Sequence, residues 1–217
     1  MRPEPINRKT RHVLKKIAAS EDYLFKKFYL AGGTALAIQL RHRESIDLDW
    51  FTEKKFSTAV LKNKLADLGK FELVNEERGT VEGLIDRVKI SFFNYPYKQI
   101  FPSVDFRGIK IADKRDIAAM KIDAISSRGS KKDFIDFYFL LKEYSLKELV
   151  GFFEKKYSNI KYNKLHILKS IVYFSEAEND PMPKMIKPAR WQEVKRVIKN
   201  ETVKYFKESD VKSLVKL

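Results

Sequence analysis

Polar and apolar positions along the 217-residue chain change period several times, and each change marks an element. Residues about 8 to 26 set Val13, Leu14, Ile17, Leu24 and Phe25 at roughly helical spacing, which predicts an amphipathic first helix. "KFYLAGG" then reads as a short strand ending in glycines, and "TALAIQLRHR" as a helix whose connection Ser45 closes. "IDLDWF" alternates strictly, so Ile46, Leu48 and Trp50 point one way and Asp47, Asp49 and Phe51 the other. "FSTAVLKNKLADLG" predicts a helix from a Ser57 or Thr58 cap to a Gly69 stop. From Lys70 to Ile111 the texture is β, with "KFELVNEE", "GTVEGLI", "DRVKISFFNYP" and "VDFRGIKIA" punctuated by glycine and proline. Asp113 caps the next predicted helix, "KRDIAAMKIDAISSR", with Asp116 placed as in a capping box. "DFIDFYFLLKEY" follows, and the remainder is mostly helical in pattern. The prediction is an α+β half, residues 1–112, followed by a mostly α-helical half, residues 113–217, without internal repeats or a long linker.

Composition narrows the class. At 44% hydrophobic the chain can bury a sizeable core. It has no cysteine, which excludes disulfides and Cys-based zinc sites, and its three histidines are scattered. The N-terminus is too polar for a signal peptide and no run is long enough to span a membrane, so the expectation is a soluble cytoplasmic protein without a membrane partner. Lys and Arg number 44 against 29 Asp and Glu, and a net charge of +15 attracts polyanions, of which nucleic acid is the commonest. The excess is spread along the chain, as a lysine-rich solvated surface would also spread it. Charge therefore supports a nucleic-acid partner without deciding it.

The chemistry concentrates in "AGGTALAIQLRHRESIDLDWF". Asp47 and Asp49 share one face of a strand with Cα atoms roughly 7 Å apart. Two ionised carboxylates that close repel each other unless a divalent cation lies between them, and oxygen ligands suit Mg²⁺ or Mn²⁺, which bind substrate phosphates in their remaining positions. A half-exposed edge strand whose aspartates face water is the plainer reading of D-x-D alone. Gly32, Gly33 and Thr34 stand between a strand and a helix, where backbone N–H groups and the helix dipole favour a phosphate. A G-G-T turn alone is as often a tight corner. With a carboxylate pair thirteen residues after Thr34, the two parts together can hold a metal-bound triphosphate.

These residues resemble the G-G-[ST]-x(n)-D-x-D motif of the polymerase-β-like nucleotidyltransferases. "DIAAMKIDAISSRGSKKDFIDFYFLL", Asp116 to Leu141, resembles the second hallmark of the AbiEii/AbiGii-type nucleotidyltransferase toxins, with Asp116, Lys121, Arg128, Lys132, Asp133 and Asp136 where that family has polar residues. The resemblance covers roughly residues 28–142. It implies a polymerase-β-like core with a mixed sheet ahead of the helical half, and transfer of a nucleoside monophosphate from an NTP to an acceptor hydroxyl. It implies Mg²⁺ or Mn²⁺ on Asp47 and Asp49 and phosphates at Gly32, Gly33 and Thr34. Lys121 would offset negative charge, and Arg128 and Lys132 would add to nucleotide binding. The acceptor it implies is RNA, specifically the 3′ end of tRNA, and the partner a cognate antitoxin in a toxin–antitoxin or phage-defence pair.

The residues of the second block agree with a shared surface. Lys121 and Arg128 lie nearly two helical turns apart, and Asp133 and Asp136 are three apart, so each pair shares a face, as a surface ion-pair ladder would too. The family pattern also places a third carboxylate on a strand after D-x-D, where "RVKISFF" carries Ser91. Asp133 is the candidate general base in its stead, with Lys132 keeping it ionised and with Asp116 and Asp136 in support. Ser91 also favours the alternative, a non-catalytic RNA- or protein-binding module on a degenerate nucleotidyltransferase scaffold.

Overall fold

The computed structural model describes residues 4–208; the outermost parts of the two expected domains, residues 1–3 and 209–217, lie outside the described residues. Contacts divide the chain into two units, Met1–Lys114 and Arg115–Leu217. No described helix is long and apolar enough to cross a membrane.

The first unit is built on one mixed sheet. Its strands are β1 (Tyr29–Ala31), β2 (Leu48–Thr52), β3 (Phe71–Glu77), β4 (Thr80–Ile85), β5 (Val88–Asn94), β6 (Val104–Phe106) and β7 (Ile109–Ile111), in the order β3-β4-β5-β2-β1-β7-β6. β1 runs antiparallel to β2 and parallel to β7, and β2 runs parallel to β5. The helices are α1 (Arg8–Ala19), α2 (Tyr23–Lys26), α3 (Gly32–Leu40) and α4 (Thr58–Leu68). The single first helix expected over 8–26 is therefore two. The Asp22 carboxylate accepts from Leu24 N–H and starts α2, a local cap that overrides the continuing apolar period. Ser57 caps α4 and Gly69 ends it, as the sequence predicts.

Alternation along β2 makes the sheet two-faced. Leu48, Trp50 and Thr52 are buried while Asp49 and Phe51 are half-buried. Ile46 precedes the strand and is 51% exposed, so it does not join the inner row expected for it. Cross-strand pairing aligns Leu30 with Trp50 and Trp50 with Phe92 on the core face. There the Trp50 and Phe92 rings stack at 6.0 Å, and Phe25 and Phe28 close on Phe92 from its other sides. Burying such aromatics supplies most of the driving force that fixes the register.

"VDFRGIKIA", read as one β segment, is a hairpin. Arg107 and Gly108 both have positive φ (56° and 82°), the geometry of a two-residue turn that returns the chain as β7 beside β1.

The second unit is helical: α5 (Lys114–Ser127), α6 (Lys131–Leu141), α7 (Leu146–Lys156), α8 (Lys164–Ser170), a 3₁₀ turn (Glu176–Asn179) and α9 (Trp191–Glu208). Every residue of α6 from Asp133 to Leu140 is buried, so this helix is the unit's axis. Phe134 meets Phe174 at 4.8 Å and Trp191 at 6.1 Å, which ties α6 to the start of α9. A full capping box between Ser145 and Glu148 starts α7.

Candidate active site

In the first unit, β1 ends in the glycines that open α3. Gly32 has φ +65°, a left-handed conformation that side chains disfavour, and a Cβ there would stand 2.7 Å from Asp49 Oδ2. Glycine is thus what lets the Asp49 carboxylate lie directly against the turn. The N-cap of α3 is Ala31, which makes no side-chain cap bond, whereas Asn7, Ser57 and Ser145 cap their helices with side-chain oxygens. A helix start with glycines and no capping side chain offers its N–H groups to an anion.

Thr34 is buried, and its hydroxyl donates to the Asp47 carbonyl and lies 2.9 Å from Ser45 Oγ. A hydroxyl has one proton, so Thr34 serves here as a strap holding the Asp47 segment to α3. Arg43 is buried as well, donates to the Glu44 carbonyl at 3.1 Å, and has its guanidinium where a Cβ at Gly33 would overlap it. A buried guanidinium beside the glycine turn is of the type that suits a phosphate, and sequence spacing did not single it out.

Asp49 pairs across the sheet with Ser91, which is where the family pattern would put a third carboxylate, and Ser91 pairs onward with Glu82 on β4. The Ser91 hydroxyl lies 3.5 Å from Glu82 Oε1, and Glu82 Oε2 accepts from Asn75 Nδ2 at 3.3 Å. Directly paired residues share a face, so Asp49, Ser91 and Glu82 form one polar row. With strands about 4.8 Å apart, the two acidic backbones are separated by roughly 10 Å. Glu82 was legible only as the polar step between Val81 and Gly83; its alignment with Asp49 depends on sheet order.

Among the described residues no group of three or more His, Asp or Glu gathers as a metal cluster. β2 begins at Leu48, so of the two aspartates expected to share a strand face only Asp49 lies in the strand and Asp47 immediately precedes it. Two carboxylates this close in sequence are donors of the type that suits a Mg²⁺ or Mn²⁺ ion completing its shell with water and substrate phosphates.

In the second unit, α5 and α6 bring four of the predicted residues together. Lys121 Nζ stands 2.8 Å from Asp133 and 2.6 Å from Asp136, both carboxylates having no exposed side-chain surface. Arg128 Nε and Ser130 Oγ reach the other Asp133 oxygen at 3.2 and 2.6 Å. Burial pushes the Asp133 carboxyl upward, but the charges of Lys121 and Arg128 and the hydrogen bonds from Lys121 and Ser130 outweigh it and hold the group well below the usual carboxylate range. Its ionising neighbours are therefore Lys121 and Arg128, while Lys132, given that role from sequence, has an exposed side chain. Asp116 forms a fully buried pair with Lys156 of α7 at 2.8 Å.

Comparison with known proteins places these features. A family model described as "Nucleotidyl transferase AbiEii toxin, Type IV TA system" matches residues 14–106 and 77–209. An uncharacterized protein of Aquifex aeolicus is 37% identical over 206 residues, covering 92% of this chain and 97% of that one. The crystal structure of JHP933 from Helicobacter pylori aligns at a TM-score of 0.53 and 15% identity, covering 98% of this chain and all of that one. A second H. pylori chain, assigned to the nucleotidyltransferases, aligns at 0.53 and 17%, covering 93% of this chain and 95% of that one. At these identities the structures speak for the fold, which is that of a nucleotidyltransferase with a mixed sheet and a helical C-terminal half.

Proposed function

The chain belongs to the AbiEii nucleotidyltransferase toxin family, and from that premise we propose that it transfers a nucleoside monophosphate from an NTP to a hydroxyl of RNA, releasing pyrophosphate. The observation that carries this reading is the contact of Asp49 with Gly32, which sets a carboxylate at the uncapped start of α3. In the proposal residues 1–112 form the catalytic core and residues 113–217 the helical domain. Asp47 and Asp49 hold the cation, which when bound neutralises the phosphates of the NTP. Gly32 and Gly33 present backbone N–H groups to the β- and γ-phosphates, the Arg43 guanidinium adds its charge, and Thr34 fixes the segment that carries Asp47. Glu82 supplies, one strand further along, the negative charge that Ser91 lacks.

The part of Lys121, Arg128 and Lys132 in nucleotide binding rests on the family resemblance. Asp133 and Asp136 set the position of the Lys121 ammonium. The general-base role for Asp133 gives way to positioning in this account, because a carboxylate held by two cations and a hydroxyl is a weak proton acceptor. Asp116 supports the fold through Lys156. The acceptor proposed is the 3′ end of a tRNA, the location cytoplasmic, and the regulator a cognate antitoxin; the +15 charge supports an RNA partner.

The test is to incubate the protein with Mg²⁺, total RNA and each α-labelled NTP in turn, with EDTA as control, and to repeat with γ-labelled ATP and protein acceptors. Label from the α-phosphate on RNA is the expected result. Ser91 favours one other reading, a non-catalytic binding module, for which RNA would bind without acquiring label.

A further inference from the structure

Beyond the carboxylate row, the same face of the sheet carries a row of aromatic rings. Two residues after Asp49 on β2 stands Phe51, paired with Tyr29 on β1 and with Phe93 on β5. Tyr29 and Phe51 stack at 6.1 Å and 26°, and Phe51 and Phe93 at 5.2 Å and 29°. Tyr95 meets the edge of Phe51 at 5.4 Å, and Tyr97 meets Tyr95 at 4.8 Å. Phe51, Phe93, Tyr95 and Tyr97 all keep partial exposure. Leu48 and Trp50 fill the buried face of β2 and Tyr29 is itself buried, whereas Phe51, Phe93 and Tyr95 stay half-exposed and are not needed to fill that face. Tyr29 also lines a cleft of about 340 Å³ whose wall includes Lys26, Lys27, Lys54 and Lys110 against one acid, Glu53. Rings for stacking beside lysines for phosphates is the pairing that single-stranded nucleic acid selects.

The direction of the row identifies which nucleotide it serves. β1 runs antiparallel to β2, with Ala31 opposite Asp49 and Tyr29 opposite Phe51. The glycine turn therefore lies at one side of Asp49, and Phe51 lies about 7 Å along the strand on the other. In-line phosphoryl displacement sets the entering oxygen opposite the leaving one. With pyrophosphate leaving toward the glycine turn, the acceptor hydroxyl enters from the side of Phe51.

We infer that the half-exposed rings of Phe51, Phe93 and Tyr95, backed by the buried Tyr29, are the platform on which the terminal base of a single-stranded RNA acceptor stacks, and that the Lys26, Lys27, Lys54 and Lys110 cleft holds its backbone phosphates. The inference rests on the nucleotidyl-transfer reading for the role of the RNA as acceptor, but RNA binding can be measured apart from transfer. A fluorescein-labelled single-stranded RNA 12-mer with a free 3′ hydroxyl is titrated with the full chain in EDTA without NTP, and anisotropy is followed. Phe51→Leu keeps an apolar side chain and removes the ring; Tyr95→Leu does the same in the loop after β5, where folding is at less risk. Each should weaken RNA binding at least fivefold, the lower bound for a lost stacked base, with the affinity for Mg²⁺·NTP by calorimetry unchanged. The double variant Lys54→Gln/Lys110→Gln should flatten the dependence of log K on log salt by roughly 1.4, from about 0.7 per phosphate contact.

Wild-type affinity in both leucine variants overturns the proposal. Loss of NTP affinity instead of RNA affinity also overturns it, by giving the row to the incoming nucleotide. Ring-dependent RNA binding by a protein that transfers no label sustains the RNA platform and refutes the transfer reading, so the two failures are distinguishable.

Discussion

Replacing Gly32 by alanine separates the catalytic geometry from the fold more cleanly than replacing any charged group. Gly32 sits at φ +65°, where an alanine costs about 1–2 kcal/mol. For a chain of this size that corresponds to a fall in melting temperature of roughly 2–8 °C, which leaves the protein folded at assay temperature. The new Cβ would stand 2.7 Å from Asp49 Oδ2, whereas ordinary contact begins at 3.4 Å, so the carboxylate must retreat by about 0.7 Å to regain it. Misplacement on the order of 1 Å in a reacting assembly costs about 10²-fold in rate. Gly32→Ala should therefore lower turnover at saturating NTP and RNA by 10- to 100-fold, read as initial rates of α-label incorporation beside a thermal melt. Gly33→Ala is the comparison: its Cβ meets the Arg43 guanidinium rather than Asp49, so NTP affinity by calorimetry should fall more than turnover. Wild-type turnover in a folded Gly32→Ala protein would refute the claim that this contact sets the reactive geometry.

Lys121→Met leaves Asp133 and Asp136 buried without their shared cation, and urea unfolding should show a loss of about 3–5 kcal/mol; a change under 1 kcal/mol would mean the pair is satisfied otherwise. Because folding lowers the Asp133 pKa below its ordinary value of 3.8, its contribution to stability is complete above that value and lost as pH falls through the lower folded one. The melting-temperature gap between wild type and Asp133→Asn should thus stay constant from pH 7 to 5 and close only below pH 4. If Asp133 positions Lys121 rather than accepting a proton, Asp133→Asn lowers turnover without moving the acid limb of the pH–rate profile, and Asp133→Glu restores part of it. Glu82→Gln should weaken Mn²⁺ binding several-fold by calorimetry, while unchanged affinity would leave Asp47 and Asp49 as sufficient.

Local signals carried much of the architecture. The Ser57 and Gly69 boundaries of α4 and the alternation of β2 are short-range properties, and both are present in the structure. What escaped depends on contacts far apart in sequence. β7 pairs with β1 across about eighty residues, and Glu82 joins Asp49 only because β5 lies between their strands. The partner of a buried charge is equally hidden: the sequence assigns Asp133 its neighbour Lys132, whereas Lys121, twelve residues earlier on another helix, is the buried partner and Lys132 is exposed. Thr34 had the residue type of a phosphate ligand, but its hydroxyl was already committed to Asp47. The break between α1 and α2 escaped because Leu24 and Phe25 continue the helical period across an Asp22 cap.

The central claim is that Asp47 and Asp49 hold the cation that makes nucleotidyl transfer to RNA work. Its most direct test is α-labelled NTP incorporation into RNA by wild type, Asp47→Asn and Asp49→Asn, with a thermal melt of each and Mg²⁺ titrated against EDTA. The account predicts Mg²⁺-dependent label with wild type, none above background with either variant, and melting temperatures equal to wild type or slightly higher, since removing one charge relieves carboxylate repulsion in the absence of metal. Full incorporation by both folded variants would contradict it.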